Sequence, residues 1–461
     1  MELHIFFLPM LTPGHLLPMV DMARLFADRG VRATIVTTPS NATNVRSGPN
    51  LNILTIPFSS AFTGLPDGVE NLTSLPTPEI PPAFVKALDL LESPFRKLLS
   101  DHHPDCIISD IFYSWSSDVA AEFGIPRLVF QGMGFFSLIL TGILSQLKTH
   151  ETVTGDDEPF IVPMIPHEIK LMRSELPTYV LKPNDDIHRM AKTQGKSYGM
   201  VMNTFHDLEA EYVELLKMSW HMRVWLVGPV SLCNQGLLDQ SERCSGAPGH
   251  VSDQCLKWLD SKEPGSVLYV CFGSLGKFTA MQMHEMASGL LGSGHQFIWV
   301  VKSSGETPVV DEEKGLVVNG WAPQVLILNH PAVGGFMTHC GWNSSLEGIT
   351  AGVPMITWPL FAEQFFNEKL IVEVLRVGVS VGFKQCCMDM ERRMVVKGEV
   401  IEVAVKRLMG GEVEAVERKK RAKELSKMAK MAVGQGGSSH SDMSALIQEL
   451  VDLKANKAKT A

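Results

Sequence analysis

No block of basic residues stands out in this chain, and its formal charge is 41 − 50 = −9. That balance disfavours a nucleic-acid surface. The Lys/Arg-rich piece from Arg418 to Lys430 also holds Glu424 and apolar residues at helical spacing, which predicts a solvated amphipathic helix. Eight cysteines (Cys106, Cys233, Cys244, Cys255, Cys271, Cys340, Cys386 and Cys387) form no Cys-x-x-Cys pair, which removes zinc-ribbon and dithiol-redox readings. Several lie in apolar strand contexts and are expected to be buried free thiols. No uninterrupted apolar run approaches the roughly 20 residues of a spanning helix. The nearest, Leu128 to Leu144, is broken by Gln131 and several glycines. The opening MELHIFFLPML lacks a basic leader and predicts a first strand, not a signal peptide, and the tail KANKAKTA is polar. Neither half carries G-x-G-x-x-G after its first strand, which counts against an NAD-dependent oxidoreductase or a UDP-sugar epimerase. No acidic D-x-D pair stands in a metal-binding context, so no metal is expected, and no cofactor either.

What is present is a repeated rhythm. A chain of 461 residues exceeds one ordinary core, and 45% hydrophobic with 20% charged content describes a soluble globular protein. HIFFLPML (4–11), VRATIVTT (31–38), DCIISD (105–110) and PRLVFQ (126–131) predict strands, with helices from about His15 to Arg29 and over SSDVAAEFG. The rhythm restarts with SVLYVCFGS (266–274), QFIWVV (296–301) and GLVVNGW (315–321). Strands alternating with helices at this spacing predict α/β domains with parallel sheets. The expected division is a first Rossmann-like domain at 1–235, a linker at 236–251, a second at 252–438 and a terminal helix at 439–461. Two stretches, Leu65 to Pro82 and Glu151 to Asp186, interrupt the pattern; long irregular insertions are often functional.

Two constellations carry chemistry. In open parallel sheets, ligands bind at the carboxyl ends of the strands. His15 follows the first strand at the start of a helix, where the positive dipole end opposes protonation, and Asp110 ends a later strand. An Asp bonded to one imidazole nitrogen would fix the tautomer of a base able to deprotonate a hydroxyl. The same positions also suit a helix cap and a strand-end acid, and Asp118 competes for the acid role from inside the next helix. The second constellation is WAPQVLILNHPAVGGFMTHCGWNSSLEGITAGVPMITWPLFAEQ, from Trp321 to Gln364. An apolar run enters a glycine-containing turn and then a helix N-terminus, which suits a diphosphate. Taken singly, Trp321 and Trp342 also suit core aromatics, and Glu363 and Gln364 a solvated pair.

This segment resembles, nearly letter for letter, the donor-binding box of plant family 1 UDP-dependent glycosyltransferases. The resemblance implies a GT-B fold, two Rossmann-like domains with parallel sheets facing across a cleft, and a terminal helix that crosses back to the first domain. It implies that Trp321 stacks on uracil, that Gln324 contacts base or ribose, and that Glu347 holds the ribose hydroxyls. His339, Asn343 and Ser344 would meet the diphosphate, joined by Ser274 from FGSLG. Trp342, Glu363 and Gln364 would meet the sugar, and a terminal Gln resembles the glucose-preferring form of the box. The family's catalytic histidine follows a small residue and a glycine after the first strand, as His15 follows Pro13 and Gly14. Its partner Asp lies in a stretch like CIISDIFYSWSSDVAAEFGIPRLVF, which supports Asp110.

The resemblance covers nearly the whole length, including DMARLFADRG, EFGIPRLVF, GFFSL, IPHEIKLMRSELP and FFNEKLIVEVL, and points to a subgroup acting on triterpenoids, steroids and flavonoids. An inverting, metal-independent transfer of glucose from a UDP-sugar to a lipophilic hydroxylated acceptor is the implied reaction. Glucuronic acid, xylose or galactose as donor sugar, or a non-catalytic UDP-sugar-binding protein, are the alternatives. Gly14, Phe112, Gln131, Met133 and Phe135, with Phe136 and the run Leu138 to Leu144, are candidates for the acceptor pocket. Gln131 and Met133 depart from the His and Thr expected in the subgroup, as does FKQCCMDMERRM. The glycosylation sequon at Asn343 lies inside the diphosphate turn, where a glycan would block binding. With the unpaired cysteines, this favours a reducing cytosol. No nucleic-acid partner and no membrane span are expected, and a monomer is.

Overall fold

The computed structural model describes residues 2–58, 60, 63–75, 80–219, 222–236, 240, 249–302, 310–311 and 313–460. Most of the expected linker at 236–251, Cys244 and residues 76–79 of the Pro-rich segment lie outside the described residues. In chain order the strands are β1 (His4–Leu8), β2 (Arg32–Thr37), β3 (Leu51–Thr55), β4 (Cys106–Asp110), β5 (Arg127–Gln131), β6 (Pro159–Val162), β7 (Ile169–Met172) and β8 (Gly199–Met202). They continue as β9 (Val224–Leu226), β10 (Val267–Cys271), β11 (Gln296–Val301), β12 (Gly315–Asn319), β13 (Val333–Thr338), β14 (Met355–Thr357) and β15 (Gly378–Ser380).

The chain divides into two compact units. The first comprises 1–134, 182–233 and 431–461. Its seven strands run in the order β3-β2-β1-β4-β5-β8-β9, all parallel. Strands β1, β4, β5 and β8 are buried along their whole length, which is why their sequences are nearly unbroken apolar runs and not alternating ones. The helix Pro13–Ala27 starts with proline at its first position, where a missing N–H costs nothing, and packs Met19, Met22, Ala23 and Phe26 into the core. The last helix, Ser438–Thr460, adds Met443, Leu446 and Leu450 to that core, and its Asp442 carboxylate accepts the Leu226 N–H at 2.9 Å.

The second unit comprises 135–181 and 234–430. Its six-stranded parallel sheet has the order β12-β11-β10-β13-β14-β15, with an antiparallel pair, β6-β7, beside it. Its core is built from Phe297, Trp299, Met337, Trp358, Phe365 and Leu408 among others. Residues 135–181, assigned by sequence to the first domain, cluster with this unit. The helix Phe135–Leu147 is apolar along most of its length, and its Ser137 hydroxyl donates to the Asn367 side-chain carbonyl at 2.8 Å. Glu151 to Asp186 is not featureless either: it holds β6 and β7, which at four residues each, with Pro159 opening β6 and Lys170 interrupting β7, are too short to register as strands by composition.

Candidate active site

In the first unit, register alone brings the sequence-predicted pair together. β1 and β4 are parallel neighbours, with Leu8 opposite Ser109, so the turn after β1 and the end of β4 share one sheet edge. There His15 Nδ1 and Asp110 Oδ2 are 2.7 Å apart. The Asp110 side chain is 0% exposed and that of His15 22%. The other Asp110 oxygen accepts the Phe112 N–H at 3.2 Å, so the carboxylate is held on both oxygens. Asp118, the competing acid, faces solvent and pairs with Lys196 Nζ at 2.6 Å. A buried carboxylate on Nδ1 fixes the ring orientation and favours a proton on that nitrogen, which suits Nε2 for accepting one.

Phe112, one of the acceptor-pocket candidates, meets the ring edge-on at 5.5 Å between centroids. Other neighbours were not legible in the sequence. Gly132, just beyond β5, lies against the imidazole: a Cβ there would stand 2.6 Å from His15 Cε1. Arg127 is buried behind the pair and donates to Ser109 Oγ at 2.7 Å, to the Asp110 carbonyl at 3.2 Å and to Ser197 Oγ at 2.6 Å. Burial lowers its pKa to about 9, against which the Asp110 charge acts. Of the acceptor-pocket candidates, Gly14 is exposed, Phe112 and Met133 are half-buried, and Gln131 is buried with its amide donating to Gln194 Oε1. Phe135, fully buried, belongs to the helix that clusters with the second unit, as does Phe136.

In the second unit, β10 and β13 are neighbours, with Cys271 opposite Thr338. Two turns therefore lie side by side, Phe272–Ser274 and His339–Gly341. The His339 imidazole fits between their backbones: a Cβ on Gly273 or on Gly341 would stand 2.5 Å from it. Burial, and then the positive charge of Lys302, lower the His339 pKa to about 3, so the ring is neutral across the physiological range. The helix Trp342–Ala351 begins at Gly341, which has no side chain to cap it. Asn343 and Ser344 are in its first turn, where backbone N–H groups point outward and the dipole favours an anion. Ser274, half-buried, is two residues past the end of β10 on the adjacent turn.

Gln324 Nε2 donates to Glu347 Oε2 at 2.7 Å and to Ser344 Oγ at 3.1 Å, joining three of the predicted residues in one network. Trp321 is half-buried, with Lys302 Nζ 4.7 Å from its ring centroid, a cation–π contact no motif announced. Trp342 is buried. Glu363 immediately precedes the short helix that Gln364 opens, without a side-chain capping bond to it. The Gln364 carbonyl accepts the Leu360 and Phe361 N–H groups at 2.8 and 3.1 Å, which orients its amide nitrogen as the group able to donate. No group of three or more His, Cys, Asp or Glu side chains able to hold a metal is found among the described residues, and no described helix is long and apolar enough to cross a membrane.

Parallel α/β sheets in these two orders, with their polar side chains gathered at the carboxyl edges, define the GT-B class of glycosyltransferase. Known proteins carry the class to a family. Residues 210–407 match the model of the UDP-glucoronosyl and UDP-glucosyl transferases. A scopoletin glucosyltransferase of Nicotiana tabacum is 44% identical over 97% of this chain and 98% of its own length. An abscisate beta-glucosyltransferase of Phaseolus angularis is 44% identical over 97% of each. The crystal structure of Glycyrrhiza uralensis UGT73P12 with glycyrrhetinic acid 3-O-monoglucuronide superposes with a TM-score of 0.93 at 39% identity, covering 100% of this chain and 98% of that one. The chain belongs to the plant UDP-dependent glycosyltransferase family and is a UDP-glycosyltransferase.

Two outcomes follow from the packing around the histidines. Ala at Gly132 must displace the His15 ring or the backbone beneath it, and a misplacement of about 1 Å in a reacting group costs on the order of a hundredfold in turnover. Gly132→Ala is therefore expected to lose most kcat at nearly unchanged melting temperature; wild-type kcat would contradict the packing. The His339 pKa is depressed in the fold, so between pH 6.5 and 3 the unfolded chain binds a proton that the native chain refuses. Stability from this group is complete above pH 6.5 and falls with pH below it, by at most about 1.4 kcal/mol per unit. In thermal melts from pH 7 to 5, His339→Asn should lose less of its melting temperature than the wild type does.

Proposed function

We propose that the protein transfers glucose from UDP-glucose to a hydroxyl of a lipophilic plant metabolite, with inversion and without a metal. The observation that carries this reading is the 2.7 Å contact between His15 Nδ1 and the buried Asp110 carboxylate. His15 Nε2 takes the acceptor hydroxyl proton as the oxygen bonds to sugar C1. The bond from C1 to the diphosphate breaks, and UDP leaves with that electron pair. Attack opposite the departing diphosphate turns an α-linked donor into a β-glycoside. Asp110 stabilises the imidazolium as it forms.

The second unit supplies the donor site in this reading. Trp321 stacks on uracil, Gln324 and Glu347 hold base and ribose, and His339, Asn343, Ser344 and Ser274 meet the diphosphate. The capless helix N-terminus supports that assignment, since it supplies the positive end a leaving diphosphate needs. Trp342, Glu363 and the oriented amide of Gln364 meet the sugar. Gly14, Phe112, Gln131, Met133 and Phe135 are assigned to the acceptor pocket. Triterpenoids or steroids are the favoured acceptors and flavonoids next, on the strength of the subgroup stretches. The acceptors for which two relatives are named, scopoletin and abscisate, make a mass-spectrometric acceptor screen the decisive measurement. The buried thiols of Cys106, Cys255, Cys271 and Cys340 support a cytosolic location, and a monomer is the assumed state.

His15→Ala should lower kcat by about 10²–10⁴ while UDP still binds by calorimetry. Retained turnover would overturn the assignment of the base. Turnover should be unchanged by EDTA; activity lost to the chelator and restored by Mg²⁺ would refute the metal-independent mechanism.

A further inference from the structure

The diphosphate turn holds a non-glycine residue in a conformation that L-amino acids avoid. Cys340, between His339 and Gly341, has φ of +63°. Such a residue is strained and persists only where its surroundings over-determine it. One side chain does so from outside the turn. Asn367, 0% exposed, donates its side-chain N–H to the Cys340 carbonyl at 2.8 Å. Its own carbonyl is occupied by the Ser137 hydroxyl at 2.8 Å. Within the turn itself, the Cys340 N–H reaches only Thr338 Oγ1, at 3.3 Å.

The Cys340 peptide sets the direction of two functional groups. The residue before it is His339, whose ring fits against Gly273 and Gly341 with no room for a methyl group. The residue after it is Gly341, from which the helix Trp342–Ala351 starts. A change at Cys340 therefore rotates the imidazole and the helix N-terminus relative to each other. We infer that Asn367, held by Ser137, is a positioning residue for diphosphate binding: it locks Cys340 in the left-handed conformation and so aligns His339 with the helix N-terminus. Asn367 lies three residues beyond the donor box, and its side-chain hydrogen bonds go to the Cys340 carbonyl and the Ser137 hydroxyl. The inference rests on the reading of this turn as the diphosphate site.

The test is a double-mutant cycle read by UDP affinity in calorimetry. Asn367→Ala removes the lock, leaves the Cys340 carbonyl and the Ser137 hydroxyl unpaired, and should weaken UDP roughly tenfold. Cys340→Gly removes the penalty the lock opposes, since glycine takes positive φ freely. Alone it should bind UDP within about twofold of wild type. The double variant Cys340→Gly with Asn367→Ala should recover to within about threefold of Cys340→Gly. Loss of affinity that glycine does not rescue would overturn the inference, because a general packing defect is indifferent to the backbone preference of residue 340. Should Asn367→Ala not fold, Ser137→Ala, which frees Asn367, is read in the same cycle with a smaller loss of about threefold. A UDP affinity unmoved by either variant also refutes it. Wild-type protein that binds no UDP would instead refute the donor-site reading.

Discussion

A parallel strand buried on both faces has no side on which to carry a polar group, and this constraint organises the protein. In β1, β4, β5, β10 and β13 the interior of the strand is apolar, and polar side chains appear where the strand ends. Parallel pairing then puts those ends, within each sheet, on one edge of that sheet. Residues far apart in sequence meet there without any contact having to be specified. His15 and Asp110 are 95 residues apart and hydrogen-bonded, because β1 and β4 are neighbours in register. The turns after β10 and β13 meet for the same reason, and so do Lys302 and Trp321, which follow β11 and β12.

This explains what could be read in advance. Apolar runs ending in polar residues mark the carboxyl edges, so β1, β2, β4, β5, β10, β11, β12 and β13 were legible, and with them His15, Asp110 and the turn at His339. The box from Trp321 to Gln364 was legible as a resemblance, since its residues match as a set. What escaped was of two kinds. Short strands such as β6 and β7, four residues each and set off by Pro159 and Lys170, lack the long run that identifies a central strand. Neighbours that act through shape or by pairing across the fold leave no local signature. Gly132 matters because an imidazole fills the space its side chain would need, and Asn367 because a carbonyl 27 residues away needs a donor.

The division of the chain teaches the same lesson at larger scale. Sequence places the boundary in the polar, Gly/Ser-bearing stretch after Cys233, where composition changes. Contacts place 135–181, which include the apolar helix Phe135–Leu147, with the later residues. Composition reports that a helix will be buried; it carries no information about which core will bury it. Ser137, a single polar residue in that helix, is the more specific signal, because a buried hydroxyl requires a partner and Asn367 supplies it.

The two histidines show how the same side chain is set to different tasks by its surroundings. His15 faces a buried carboxylate at hydrogen-bond distance, so an imidazolium formed there meets a counter-charge in place. His339 is wedged between two glycine backbones, its Nδ1 has no hydrogen-bond partner among the described residues, and the cation of Lys302 acts on it. Protonation there would be opposed both by burial and by Lys302, and the ring remains a neutral donor or acceptor. In the proposed reaction these states are complementary. A proton has to be taken from a hydroxyl where a counter-charge waits. At the diphosphate the positive potential comes from the helix N-terminus and Lys302, which need no proton from His339, so charge neutralisation of the leaving group is independent of pH in the range where the base must act.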